Sequence, residues 1–237
     1  MERIVLVHGS VLGGQATWSA QQALAARFEL LVVERPGFAP GSMVERVDFE
    51  TDAVFLTGLL ESGDHLVGHS YGGVVALLAA AQTGDLGSLT VIEPPATSVA
   101  LDVPAVAEFA RSAQELWASA LVDDPEAFLR VFLEAVGSTY APPSPLPPPL
   151  ERAARILIAE RGPWEADIPL DALWAAPFPK LVVSGAHHPA FEAICDRLEH
   201  ALDAERVVLS GHGHSVQRHP EFDERLADFV QRAARGR

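Results

Sequence analysis

Leu66-Val67-Gly68-His69-Ser70-Tyr71-Gly72-Gly73-Val74-Val75 joins a short apolar run, a Gly-x-Ser-x-Gly turn and a helix-forming segment that continues to Ala81. A serine hydroxyl is a weak nucleophile unless a sharp turn between strand and helix presents it clear of other side chains. Gly68 and Gly72 lack the side chains that would clash in such a turn, and the following helix aims its first amides back at the serine. The bare motif also occurs in ordinary glycine-rich loops. Set between a strand and a helix, it marks Ser70 as a candidate nucleophile.

The same alternation runs outward from this motif. Strands are predicted at Ile4–Val7, Leu30–Val33, His65–Val67, Leu89–Ile92, Leu181–Ser184 and Arg206–Leu209. Apolar runs without alternation suit strands buried on both faces, as in a parallel sheet covered by helices. Helical patterns lie between them at Ala16–Ala26, Phe49–Glu61, Gly73–Gln82, Phe191–Leu202 and Glu221–Arg235. The fold class expected is α/β, a doubly wound parallel sheet of about six strands.

One interval breaks the rhythm. Residues 96–179 show helical stretches near Pro104–Ala120, Pro125–Val136 and Leu150–Glu160 but no strand. The segment Ala141–Pro149 is too rich in proline for a helix or sheet interior. Its flanks carry Phe109, Leu116, Trp117, Phe128 and Phe132, which need burial. The expected division is a core of residues 1–95 and 180–237 with an inserted helical cap at 96–179.

At 237 residues and 49% hydrophobic, the chain supplies one sizeable core with an insertion rather than two independent domains. Its 32 acidic residues against 17 Lys plus Arg give a formal charge of −15, which repels phosphate backbones and acidic lipid surfaces. Neither nucleic acid nor a membrane is an expected partner. The lone Cys195 precludes an internal disulfide and fits a reducing compartment. The chain enters a strand right after Met1-Glu2-Arg3, without the pattern of a signal peptide, and has no apolar run of bilayer length. A cytoplasmic location is expected.

A serine nucleophile needs a base. The late loop Ser210-Gly211-His212-Gly213-His214-Ser215 offers His214 first and His212 second. This order along the chain, serine before histidine, together with Val7-His8-Gly9-Ser10, Glu34-Arg35-Pro36-Gly37, the Gly68–Gly72 turn and Gly213-His214, resembles the α/β-hydrolase-fold serine hydrolases over nearly the full length. The resemblance implies a Ser–His–acid triad and an oxyanion hole formed by the backbone amides of Ser10 and Tyr71, with Val11 able to replace Ser10.

The chain departs from the family pattern in two ways. Most members have two strands before the His-Gly strand, whereas this sequence begins with it. Where a Gly-x-x-Asp loop is usual, the sequence reads Gly185-Ala186-His187-His188, with histidine at the aspartate position. Glu93, which ends the fourth strand, is the leading candidate for the acid; some haloalkane dehalogenases and zearalenone-type lactonases carry theirs after this strand. The alternatives are Glu192 or Asp196 on the next helix, or a Ser–His dyad without an acid.

The histidines lack metal-ligand spacing and have no cysteine pair to assist them, so no metal or cofactor is expected. The expected function is hydrolysis of a carboxylic ester or lactone of a neutral, hydrophobic small molecule through an acyl-enzyme. A non-catalytic ligand-binding protein, a C–C hydrolase, a thioesterase or a hydroxynitrile lyase of the same fold are the alternatives. The sequence assigns no oligomeric state.

Overall fold

Along β1 (Arg3–Val7) every second side chain enters a different core: Ile4 and Leu6 pack to one side of the sheet, Val5 and Val7 to the other. Such double burial is what a run of apolar residues without polar alternation encodes. The computed structural model describes residues 1–38 and 46–236. Its sheet has six strands in the order β2 (Glu29–Val33), β1, β3 (His65–His69), β4 (Ser88–Ile92), β5 (Lys180–Ser184) and β6 (Glu205–Val208), all parallel. The six strands fall within a residue or two of the predicted runs.

Helices cover both faces. α2 (Phe49–Thr57), α3 (Tyr71–Ala80) and α8 (Pro189–Leu202) supply one apolar cluster, and α9 (Phe222–Arg235) supplies the other. The predicted helix at Ala16–Ala26 is instead a short α1 (Gly14–Thr17) followed by a 3-10 helix at Ala20–Ala26. Trp18, between them, is fully buried in the α9-side cluster, so tertiary packing overrides an unbroken helix here.

Between β4 and β5 lie α4 (Pro104–Trp117), α5 (Pro125–Ala135), α6 (Pro148–Ala159) and α7 (Leu170–Ala175). Leu116, Phe128, Leu133, Leu150 and Leu157 form an apolar cluster separate from those of the sheet. The proline-rich segment is an ordered strap: Pro142 and Leu146 are buried, and the Leu146 amide donates to Glu126. Its last two prolines, Pro148 and Pro149, start α6. Proline is tolerated there because the first amides of a helix have no internal acceptor. Trp174, on α7, is 64% exposed. Among the described residues, no helix is long and apolar enough to cross a membrane.

The strand order reverses between β1 and β3, the two strands that lead to Ser10 and Ser70. Open parallel sheets carry their ligand crevice at this switch point, beyond the carboxyl ends of the strands.

Candidate active site

Ser70 stands between β3 and α3 with φ 54° and ψ −126°, a backbone conformation strained for any residue with a side chain. Its amide continues the ladder to the Ile92 carbonyl at 2.9 Å. The turn closes because its neighbours are glycines. A Cβ on Gly68 would lie 2.4 Å from the Gly72 carbonyl, and one on Gly72 would lie 2.3 Å from the His8 carbonyl. Three other non-glycine residues with positive φ follow neighbouring strands: Val11 after β1, Glu93 after β4 and Ala186 after β5. Strain is thus concentrated at the carboxyl edge of the sheet, where it costs roughly 1–3 kcal/mol per residue.

His214 Nε2 lies 2.8 Å from Ser70 Oγ, and its Nδ1 lies 2.7 Å from Glu93 Oε2. With the Nδ1 proton donated to the carboxylate, Nε2 is free to accept the serine proton. The ring is fixed from two further sides. Phe191 stacks on it at 4.5 Å between centroids, and His69 Nε2 donates to the His214 carbonyl at 2.8 Å. Burial lowers the His69 pKa to about 3, so this ring is neutral.

Glu93 is fully buried and accepts the Gly185 amide on Oε1 at 2.8 Å. His187 Nδ1 stands 3.2 Å from the same oxygen, an ion-pair approach without well-aligned hydrogen-bond geometry, while its Nε2 donates to the Val136 carbonyl at 3.1 Å. Burial by itself would push the Glu93 carboxyl up. The His187 ring close by and the hydrogen bond from His214 override this and hold its pKa at about 2. Burial likewise opposes a charge on His187, and Glu93 outweighs it, so the pKa of that ring is raised.

The other acids considered from sequence lie elsewhere. Glu192 caps the Ala186 amide and pairs with Arg206 at 3.0 Å, and Asp196 also faces Arg206, at 3.5 Å. His212 packs edge-on against His219, and His188 caps the start of α8 through the Ala190 amide. Cys195 is buried, with its thiol pKa pushed up by that burial. Among the described residues, Glu93, His187 and His214 are the one group whose donor atoms are close enough to share a metal ion, all lying within 4.8 Å. The hydrogen bonds of Glu93 to His214 and Gly185 already give this cluster a role.

Ser10 and Tyr71 both border the same cavity as Ser70. The Tyr71 amide opens α3, and a helix leaves its first amides without internal acceptors. The Ser10 amide has no backbone acceptor among the described residues. The cavity, of about 120 Å³, is walled mainly by the insertion, including Phe109, Leu116, Trp117, Phe132 and Trp164. Four aromatics, Phe109, Trp117, Phe132 and Trp164, thus form the wall, whereas Phe128 lies wholly in the insertion's own cluster. A second, more open hollow of about 530 Å³ meets Ser70 from the other side, past Leu12, Tyr140 and His212. Ser70 therefore sits where an apolar chamber and a wider mouth converge.

Two neighbours of the site were not singled out from sequence, Glu160 and His187 as a partner of Glu93. Arg35 was visible in the Glu-Arg-Pro-Gly stretch but had no role assigned to it. Glu160 ends α6 and touches Ser10 Oγ, a contact spanning 150 positions that no local motif signals.

The sequence matches the model of the alpha/beta hydrolase family over residues 4–227. Among solved structures, a thermophilic esterase from Thermogutta terrifontis is similar at 23% identity, with a TM-score of 0.73 over 98% of this chain and 90% of that one. MenH from S. aureus is similar at 18% identity and a TM-score of 0.72, over 98% and 94% of the two chains. Est816, described as an N-acyl homoserine lactone degrading enzyme, is similar at 20% identity and a TM-score of 0.69, over 97% and 93%. At these identities the likeness concerns the fold. Among curated proteins, none matches the chain.

Proposed function

The chain belongs to the alpha/beta hydrolase family, and from that premise we propose that it is a serine hydrolase that cleaves the ester or lactone bond of a neutral, hydrophobic small molecule. The observation that carries this reading is the unbroken run of hydrogen bonds from Ser70 through His214 to Glu93, at 2.8 and 2.7 Å. Residues 96–179 act as the cap over this centre, and a cytoplasmic setting agrees with the lone buried cysteine.

In this mechanism His214 Nε2 takes the Ser70 proton as Oγ attacks the substrate carbonyl. The carbonyl oxygen becomes an alkoxide and is met by the Ser10 and Tyr71 amides, which need no reorganisation to receive it. As the intermediate collapses, the C–O bond breaks and the imidazolium passes its proton to the departing alcohol oxygen. Water, deprotonated by the same ring, then attacks the acyl-enzyme; the Ser70–acyl bond breaks and Ser70 regains its proton. Glu93 holds the imidazole in the productive tautomer and stabilises its charged form. The apolar chamber suits a hydrophobic acyl portion, and the wider mouth suits the departing alcohol.

Turnover of p-nitrophenyl esters and labelling by a fluorophosphonate test the assignment. The expected result is hydrolysis and one label on Ser70, both lost in Ser70→Ala with the fold retained. Labelling of a different serine, or undiminished hydrolysis by Ser70→Ala, contradicts it.

A further inference from the structure

A ring of hydrogen bonds encloses the Gly9–Ser10 segment, and it is closed by a residue from the helical insertion. Arg35 Nη1 donates to the Gly9 carbonyl at 2.9 Å, and Arg35 Nη2 donates to Glu160 Oε1 at 3.0 Å. Ser10 Oγ donates to Glu160 Oε2 and completes the circuit. Behind it, Arg35 Nε binds Asp52 at 2.8 Å, and the guanidinium lies 4.4 Å from the centre of the Tyr71 ring. Arg35, Asp52 and Glu160 are all almost fully buried.

A buried ion cluster is a poor stabiliser compared with well-packed apolar side chains, because desolvation offsets much of the attraction. Burial raises the pKa of both the Glu160 and Asp52 carboxyls despite the guanidinium between them. Fold stability is therefore a weak account of why these charges are placed at this point.

The segment they enclose is under strain. The Leu12 amide bonds the Ser10 carbonyl at 2.9 Å, closing a three-residue turn around Val11 at φ 72°. Positive φ is costly for a β-branched residue, and turns of this type are rare. Such a conformation persists only where the surroundings over-determine it. Here the Val11 side chain is buried in the insertion's own apolar cluster, and Thr17 Oγ1 holds the Leu12 carbonyl at 3.2 Å. Glu160 is itself anchored, since the Val47 amide bonds the Ala159 carbonyl at 2.9 Å and the Arg161 amide bonds the Val47 carbonyl at 2.7 Å.

We propose that Glu160 is a positioning residue for the oxyanion loop: with Arg35 it locks Gly9 and Ser10 so that the strained turn presents the Ser10 amide to the reacting carbonyl. On this account the insertion does more than cover the chamber, because it supplies the clamp for half of the oxyanion hole. The inference rests on the serine-hydrolase reading above. A donor held in place acts on the alkoxide and little on the ground-state ester, so its loss falls on kcat.

The test compares wild type, Glu160→Gln, Ser10→Ala and the double variant on one p-nitrophenyl ester, with affinity for a trifluoromethyl ketone as a second readout. In each single variant kcat is expected to fall roughly 10- to 100-fold, with KM within about twofold and ketone affinity weakened in step with kcat/KM. The double variant is expected to be no slower than the slower single, since both changes weaken the same charged contact between Ser10 and Glu160. Should Glu160→Gln fail to fold, Ser10→Ala removes only one oxygen and gives the same kcat and ketone readouts. Wild-type kcat in the single variants, a change confined to KM, or additive losses in the double variant would overturn the inference. Absence of wild-type ester turnover and of Ser70 labelling would instead overturn the underlying reading.

Discussion

The carboxylate that meets the His214 ring, at 2.7 Å, belongs to Glu93 at the end of β4 rather than to the loop after β5. The β5 loop still contributes to this arrangement through the Gly185 amide and the His187 ring, both directed at Glu93 Oε1. Two adjacent strand ends thus serve one imidazole, with the anion on the inner strand and the Gly185 amide and His187 ring beside it on the outer one. Glu93 is consequently buried on every side, and its charge is balanced locally.

Substituting Glu93 by Gln is expected to cut kcat by about 10³- to 10⁴-fold with a modest change in KM. A neutral amide neither stabilises the imidazolium nor enforces the Nδ1–H tautomer. Glu192→Gln and Asp196→Asn, whose carboxylates face Arg206, should remain within about threefold of wild type. Steady-state kinetics on a single ester decides the matter, and full turnover by Glu93→Gln would remove Glu93 from the triad.

The same carboxylate makes stability depend on acid. Its pKa, held at about 2 against an ordinary 4.5, is lower in the folded state than in the unfolded one. Its contribution is therefore complete above the unfolded value and is lost as the pH falls through that window toward 2. Wild type should melt above Glu93→Gln at neutral pH, and the gap in Tm should close progressively on acidification below 4.5. A gap that stays constant across this range would show that Glu93 acts there without its charge.

Chain-length preference follows from the chamber wall. Ala113 faces the cavity alongside Leu116 and Trp117 on α4. Ala113→Phe should fill part of the space, lowering kcat/KM for an octanoyl ester by at least about tenfold while leaving acetyl ester turnover within about twofold. Equal losses for both esters would place the acyl portion elsewhere, for instance in the wider hollow lined by Leu12 and Tyr140.

What the sequence determined by itself is local. The alternation of apolar runs with helical periodicity encodes a parallel sheet buried on both faces, and the Gly68–Gly72 turn encodes a strained serine because only glycines leave room for it. Ser70 and His214 were legible as candidates for the same reason, since each sits in a short stretch whose residue types imply a turn.

The tertiary structure alone decided which long-range partners meet. Glu93 and His214 are 121 positions apart, and Ser10 and Glu160 are 150 apart, so no periodicity or turn preference links them. Glu93 led the candidates in the sequence because it ends a strand, and Glu192 and Asp196 stood as alternatives on the next helix. They differ only in where strand order and helix facing place them: one against a buried imidazole and two against Arg206. Distance across a folded sheet is set by strand order and crossover packing, and these emerge only when the whole core closes.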